Sequence, residues 1–249
     1  MTRIPDLLLL TFVAISSPAQ AREPAPPPTV EVTLKTLSIG PEITDTIYLQ
    51  AHPEAPPSKL TFHKYRRSDP IEYKGPAQLV FFRQEPSPDP DAPPRRIPVA
   101  RYFLRPEHPP EELLLFFQTK TEPDPDTGAL FDVVGMDDST DTFPKNSVVV
   151  FNATGFNLYG MVDKTHQEFS SGPSDVFKMP PSLYTAFAVE TRTEYRMVFE
   201  NTLQFGEDTR VILMLRPPRR KHSIRFQCYS ILERVFDEEA EAPKEKEDS

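Results

Sequence analysis

Aspartates are the residues whose type and spacing come closest to a recognisable chemistry. Carboxylate oxygens are the ligands that calcium prefers, and the ion takes roughly six to eight oxygen ligands. The spacing departs from an EF-hand loop, because Gly128 is the fifth residue counted from Asp124 and the twelfth is Gly135. Two interpretations stay open, a weak calcium site or turns in which the aspartates bond to nearby backbone N–H groups. The weak calcium candidates are Asp137, Asp138 and Asp141, with Asp124, Asp126 and Asp132 before them.

The other residue types that support catalysis are scattered. The five histidines show no pair at metal-ligand spacing, so no zinc site is predicted. The chain has no Gly-x-Ser-x-Gly elbow that would present a serine nucleophile. The single cysteine, Cys228, alternates with Ile224 and Phe226 on one face of a predicted strand, which indicates a small buried core residue. We therefore predict that the protein is not an enzyme and uses no cofactor.

A basic segment near the C-terminus is the strongest candidate for binding a partner. Because Pro217-Pro218 interrupts it, we interpret the segment as the tip of a hairpin between two strands. It could bind an anionic partner such as an acidic glycan or a lipid head group, or it could be a solvated loop beside the acidic tail. Its candidate binding residues are Arg216, Arg219, Arg220, Lys221 and Arg225.

The elements that must position these residues are predicted to be strands. Short runs of Val, Ile, Thr, Phe and Tyr alternate with Pro, Asp and Gly, and helical spacing of apolar residues is rare. This pattern predicts an all-β chain. The predicted strands are residues 30–39, 46–50, 59–63, 78–84, 97–104, 113–119, 147–151, 175–179, 185–190, 195–203, 209–215 and 223–235.

Residues 137–162 carry the clearest folding signal. An acidic turn leads into the apolar run 147–151, and Thr154-Gly155 supplies a turn to a second strand, so we predict a hairpin. The run 147–151 is expected to be a central strand that is covered on both faces. In the first predicted strand, the apolar alternation changes phase near Lys35-Thr36, which predicts a β-bulge.

The same stretch resembles an uncharacterised family of exported bacterial proteins predicted to be β-sandwiches. The resemblance covers about residues 137–160 and implies fold and export, without an activity. It depends on the order of Asp137, Asp138 and Asp141, followed by Phe143-Pro144 and Asn152-Ala153-Thr154-Gly155.

Three pairs of short motifs indicate an internal duplication. We predict one or two immunoglobulin-like β-sandwiches and favour two in tandem, residues 30–120 and 121–236, with a boundary near residues 120–128. The motif pairs are Phe62-His63 with Phe151-Asn152, Gly75-Pro76 with Pro180-Pro181, and Leu104-Arg105-Pro106 with Leu215-Arg216-Pro217.

The two ends of the chain predict its location. Residues 1–21 have the basic start, apolar run and small-residue exit of a signal peptide, with cleavage expected after Ala21. The apolar run is too short to span a bilayer, so no transmembrane segment is predicted. A proline-rich leader, residues 22–29, follows the signal, and the acidic segment 237–249 is predicted to be a disordered tail.

These features predict a secreted or periplasmic, non-enzymatic structural or interaction module of the bacterial cell envelope. The net charge of −9 argues against nucleic acid as a partner. The partner is unknown, and another envelope protein or a glycan is a candidate. The first alternative is a glycan- or peptide-binding protein that uses strand addition at a sheet edge. The second alternative is a hydrolase without a recognisable motif.

Overall fold

A computed structural model describes residues 28–52, 54–220 and 223–235 of the chain. This part contains sixteen strands and no helix, so the all-β prediction is confirmed. The strands form four sheets of four strands each, consistent with a β-sandwich architecture. The predicted signal peptide, most of the proline-rich leader, Lys221 and the acidic tail lie outside the described residues.

The first eight strands build two sheets. The first inner sheet has the order β4-β1-β7-β8, and the first outer sheet has the order β3-β2-β5-β6. The strand bounds are β1 (Thr29–Ile39), β2 (Tyr48–Leu49), β3 (Ser58–Lys59), β4 (Ile71–Pro76), β5 (Gln78–Glu85), β6 (Arg95–Phe103), β7 (Glu112–Thr119) and β8 (Phe131–Asp137).

The second eight strands build two more sheets in the same way. The second inner sheet has the order β12-β9-β15-β16, and the second outer sheet has the order β11-β10-β13-β14. The strand bounds are β9 (Ser147–Asn152), β10 (Leu158–Val162), β11 (Thr165–Phe169), β12 (Gly172–Lys178), β13 (Ser182–Glu190), β14 (Tyr195–Gln204), β15 (Thr209–Arg216) and β16 (Gln227–Arg234).

The pairing of β9 to β16 repeats that of β1 to β8 strand for strand. Each inner sheet has one parallel pair, β1 with β7 and β9 with β15, and the other pairs are antiparallel. The repeat extends to single residues, because the register of β6 skips Val99 and that of β14 skips Val198. The Val99 carbonyl accepts a hydrogen bond from the Leu130 N–H at 2.8 Å, and the Val198 carbonyl accepts one from the Phe226 N–H at 3.0 Å.

Three apolar clusters bind the four sheets into a layered stack. The first lies between the first outer and first inner sheets, and includes Phe81 and Phe117. A second lies between the second inner and second outer sheets, and includes Phe187. The third joins the two inner sheets, where Phe116 meets Phe151 with ring centroids 4.2 Å apart. Apolar contacts therefore cover both faces of the inner sheets.

The central position of residues 147–151 is confirmed. Every residue of β9 is buried, and the strand lies between β12 and β15. Val148 and Val150 face the second outer sheet, whereas Val149 and Phe151 face the first inner sheet. A strand with two covered faces has no polar side to alternate with, which explains its continuous apolar run.

The predicted hairpin after this strand is wrong. β9 pairs with β12 and β15, whereas β10 pairs with β11 and β13 in the other sheet of the unit. The turn at Gly155, with φ of +79°, therefore carries the chain from an inner to an outer sheet. The buried Asn152 side chain holds this arch, since Nδ2 donates to the Phe156 and Phe169 carbonyls at 2.7 and 2.8 Å.

The predicted bulge near Lys35-Thr36 is also wrong. β1 keeps one continuous register with β4 and with β7. The apolar residues change phase because the covered face changes: Leu34 packs in the first cluster, and Leu37 packs between the two inner sheets. On the face away from Leu37, the buried Thr36 hydroxyl donates to the Thr61 carbonyl, so a polar loop covers that face.

Three strands were not predicted from the sequence: β4, β8 and β11. β8 follows the predicted domain boundary near residues 120–128, yet it pairs with β7 along its whole length. The last strand of the first two sheets, β8, ends at Asp137, and the first strand of the other two sheets, β9, begins at Ser147. The segment between these two residues therefore connects the first eight-strand unit to the second.

Candidate functional site

The three candidate calcium ligands have separate surroundings. The carboxylate of Asp138 is completely buried and accepts hydrogen bonds from Arg67. Asp137 accepts hydrogen bonds within the turn, from the Ser139 N–H at 3.0 Å and from Thr142 Oγ1 at 2.9 Å. Asp141 is exposed. Among the described residues, no three His, Cys, Asp or Glu side chains are grouped so that they could hold a metal ion.

Asp138 belongs to a cluster of six charged side chains where the two units meet, which we call the ion cluster. Its three cations and three anions balance in formal charge. Lys35 Nζ lies 2.7 Å from Glu112, and Arg210 Nε lies 2.5 Å from Glu233 Oε2. The first unit contributes Lys35, Arg67 and Glu112, the segment that connects the units contributes Asp138, and the second unit contributes Arg210 and Glu233.

Arg210 and Glu233 of the second unit both pair with charged residues of the first. The Arg210 guanidinium also reaches the segment that connects the units. Its Nη1 donates to the main-chain carbonyls of Asp138 at 2.5 Å and Phe143 at 3.2 Å, and its Nη2 lies 3.5 Å from the Asp138 carboxylate. Burial alone would raise the pKa of Glu233, but Arg67, Arg210 and Lys35 lower it below its ordinary value. Paired buried charges add little net stability, although an unpaired one is costly, so loss of one member of the cluster is expected to destabilise the fold.

The predicted basic segment divides into parts with different roles. Arg216 ends β15, and Arg219 Nε donates to Gln227 Oε1 at 2.7 Å. Gln227 in turn donates from Nε2 to the Pro217 carbonyl at 2.7 Å, so it ties the loop to the start of β16. The Arg225 N–H donates to Ser223 Oγ at 3.2 Å, and Arg220 lines a separate pocket beside Phe156. These contacts give the described basic residues different neighbours, and the binding of an anionic partner by this segment stays a prediction.

A cavity of about 510 Å³ lies on the exposed face of the second outer sheet. Ala186 and Ala188 of β13 form its floor because their side chains are small. Larger side chains from the neighbouring strands form the walls. We call this cavity the tyrosine trough, defined by Tyr159 and Met161 of β10, Ala186 and Ala188 of β13, and Tyr195 and Met197 of β14.

The rim of the tyrosine trough is aromatic and acidic. The rings of Tyr159 and Tyr195 are 4.9 Å apart at 79°, and these tyrosines lie opposite Glu168 and Glu190 in the strand register. The pKa of Tyr159 is raised, chiefly by the negative charge of Glu168 and further by Tyr195, by burial and by Glu190. At the other end, Tyr184 donates from its hydroxyl to Glu200 at 2.7 Å. The trough therefore combines apolar walls with a negative field.

The register of the two units allows the tyrosine trough to be compared with its counterpart in the first outer sheet. Tyr48 and Phe82 pair there as Tyr159 and Ala188 do here. The first unit fills the position with the Phe82 ring, which stacks on Tyr48 with centroids 5.9 Å apart. The Arg96 guanidinium lies over Phe82 at 5.3 Å from the ring centroid. Tyr195 takes the place of Arg96 in the second unit.

Sequence analysis did not identify the ion cluster or the tyrosine trough. Asp138 and Arg210 are 72 positions apart, and no local spacing connects them. The trough residues occupy every second position along three strands, and a period-two pattern indicates which residues share a face. It does not indicate which strands are neighbours, so the two halves of the trough could not be brought together.

Two comparisons with known proteins find nothing similar to this chain, so its proposed function is based on the geometry. A scan against models of protein families finds no match, and a search of curated proteins finds no similar sequence. The described residues include no helix that is long and apolar enough to cross a membrane.

Proposed function

We propose that this protein is an exported, non-enzymatic binding module of the bacterial cell envelope. It consists of two immunoglobulin-like sandwiches in tandem, residues 28–137 and 147–235, joined through their inner sheets. The observation that carries the proposal is the tyrosine trough, where Tyr195 and Met197 are 59% and 49% exposed beside a concavity. Exposed aromatic and methionine side chains beside a concavity are typical of binding surfaces.

The repeated pairing supports the tandem arrangement. The two eight-strand units have the same sheet orders. Each also skips one valine in its sixth strand, and the carbonyl of that valine accepts a backbone hydrogen bond. Such a match is expected from duplication of one sandwich. The apolar cluster between the inner sheets supports a rigid joint, because Phe116, Phe151 and Ile212 are buried in it. A rigid joint keeps the trough in a constant position relative to the rest of the stack.

The first alternative, glycan or peptide binding, is best supported in its peptide form. Sugar-binding platforms usually present flat aromatic faces, whereas the rings of Tyr159 and Tyr195 stand almost perpendicular to each other. Strand addition is less favoured than binding in the trough. The edge strand β14 is interrupted at Val198, whose carbonyl already accepts a bond from Phe226, and such bulges protect sheet edges.

Export is tested by expressing the full chain in a bacterial host and measuring its mass in the periplasmic fraction. We expect the mass of a chain cleaved after Ala21. Replacing the small residues Ala19 and Ala21 with Arg should block cleavage and retain the precursor in the cytoplasm or membrane fraction. An uncleaved wild-type chain in the cytoplasm would overturn the proposed location.

Binding is tested with a panel of capped peptides and oligosaccharides, with NMR signals of the Met161 and Met197 methyl groups as the readout. We expect at least one peptide to move both signals and to leave the buried Met214 signal unchanged. If no member of the panel shifts the two methionine signals, the proposed binding function is wrong.

A further inference from the structure

We propose that the tyrosine trough binds an arginine side chain carried on an exposed segment of a partner protein. This inference depends on the proposed function, since it names the chemistry of the ligand that the binding module recognises. The internal repeat, the charges around the trough and the known preferences of a guanidinium group support it.

The first unit shows which chemical group this sheet position accommodates. There the protein's own Arg96 places its guanidinium over the Phe82 ring. Arg96 Nη1 also donates a hydrogen bond to Gln50 Oε1. The residue that faces Tyr48 from the edge strand is Lys59, so the first outer face is basic at this point.

The second unit has the opposite arrangement at the matching positions. Ala188 replaces the Phe82 ring, and Tyr195 replaces the Arg96 side chain, which together leave space between β10 and β14. Glu168 stands where the first unit has Lys59. No lysine or arginine is among the described residues that line the trough. The second unit therefore lacks the cation that the first unit supplies from its own chain.

The groups around this space suit a guanidinium. Tyrosine rings attract a cation over their faces, and an arginine stacks on them more readily than a lysine does. Glu168 and Glu190 lie beside the two rings, and a carboxylate can bond to a guanidinium through two oxygens. Met161 and Met197 can pack against the methylene groups of the arginine. The trough is open along the sheet, so it can admit a side chain together with its backbone.

The test uses the full exported chain with two capped peptides, Gly-Gly-Arg-Gly-Gly and the same peptide with citrulline. Citrulline has the shape of arginine without its charge, so it isolates the contribution of the cation. We expect the arginine peptide to shift the Met161 and Met197 methyl signals saturably. The citrulline peptide should bind about tenfold more weakly, as expected for the loss of one cation–π contact next to a carboxylate.

Two variants test the assignment to the trough. Ala188→Phe should fill the space as Phe82 does in the first unit, and Glu168→Gln should remove the carboxylate beside Tyr159. Each should weaken binding of the arginine peptide by about tenfold. The matched control, Lys59→Gln at the equivalent position of the first unit, should bind like wild type. Thermal unfolding monitored by circular dichroism verifies that all three variants are folded.

Each remaining outcome would overturn the inference. Equal binding of the arginine and citrulline peptides at the methionines would exclude cation recognition but leave the proposed binding function intact. If no tested ligand shifts the Met161 and Met197 methyl signals, both proposals are excluded. Free arginine that binds as tightly as the peptide would indicate a small-molecule site. Self-association that Glu168→Gln abolishes would identify the ligand as a second copy of the chain.

Discussion

The completely buried carboxylate of Asp138 accepts two hydrogen bonds from the guanidinium of Arg67, at 2.7 and 2.8 Å. The same carboxylate lies 3.5 Å from Arg210, which belongs to the second unit. An aspartate of the segment that connects the two units is therefore the shared partner of two buried arginines. This relationship makes the ion cluster the most sensitive polar region of the molecule, because loss of one anion leaves cations without compensation.

Replacing Asp138 with Asn should destabilise the fold by about 3–5 kcal/mol, since Arg67 and Arg210 would lose the buried carboxylate that they share and the ion cluster would keep one positive charge in excess. Urea unfolding of the two proteins measures the difference. The control is Glu31→Gln, which removes the exposed ion pair with Lys74 and should leave the free energy of unfolding almost unchanged. Similar values for the two variants would contradict a special role for the ion cluster.

The acid sensitivity of the fold should depend on Glu233. Its pKa in the folded protein is lowered from 4.5, because the neighbouring arginines and lysine outweigh the effect of burial. A lowered folded-state pKa stabilises the protein above the unfolded-state pKa, and this contribution disappears as the pH falls through the folded-state value. Stability measured between pH 6 and pH 3 should therefore decline more steeply for wild type than for Glu233→Gln. Parallel curves would contradict this prediction.

Replacing Val149 with Asp should cost at least about 4 kcal/mol, because an unpaired charge would lie between the two inner sheets. Val149 is 1% exposed. The matched control is Val176→Asp, since Val176 lies directly opposite in β12 and is 38% exposed. We expect this control to cost about 1 kcal/mol. A Val149→Asp variant that melts like wild type would show that β9 is not central.

The Asn152 side chain should be essential to the arch between β9 and β10. Asn152→Ala leaves the Phe156 and Phe169 carbonyls without their donor and should destabilise the fold by about 2–4 kcal/mol. The control Asn201→Ala removes an exposed amide whose Oδ1 accepts one bond from the Thr202 N–H, and should cost less than about 1 kcal/mol. If Asn152→Ala and Asn201→Ala lose equal thermal stability, the Asn152 side chain is not essential to the arch.

Cys228 should react slowly with thiol reagents. It is half-buried against the second apolar cluster, and burial raises the pKa of its thiol to about 12. The thiolate, which is the reactive form, is therefore rare at pH 8. A thiol reagent should label the native protein far more slowly than the protein in urea. Equal rates would show that the side chain is accessible.

Several features were predictable from the sequence because they depend on residues close together in the chain. Runs of β-branched and aromatic residues between prolines predicted an all-β fold, and a strand that is apolar at every position predicted burial on both faces for β9. Of the three motif pairs, Gly75-Pro76 and Pro180-Pro181 precede the equivalent strands β5 and β13. The other two pairs lie at positions that the repeat does not equate, since Phe62 follows β3 whereas Phe151 lies within β9.

Only the tertiary structure decided which strands are neighbours. The parallel pairing of β9 with β15 joins residues about sixty positions apart, and the energy of such contacts depends on packing, not on local spacing. Because β9 pairs with β12 and β15, the expected hairpin is an arch, and the packing of the two inner sheets makes the expected bulge a change of covered face. The same packing places Arg210 beside Asp138, and the pairing of β10 and β14 with β13 brings Tyr159 to Tyr195. Residue types alone determined the kind of fold, whereas long-range register determined where its charges and its trough lie.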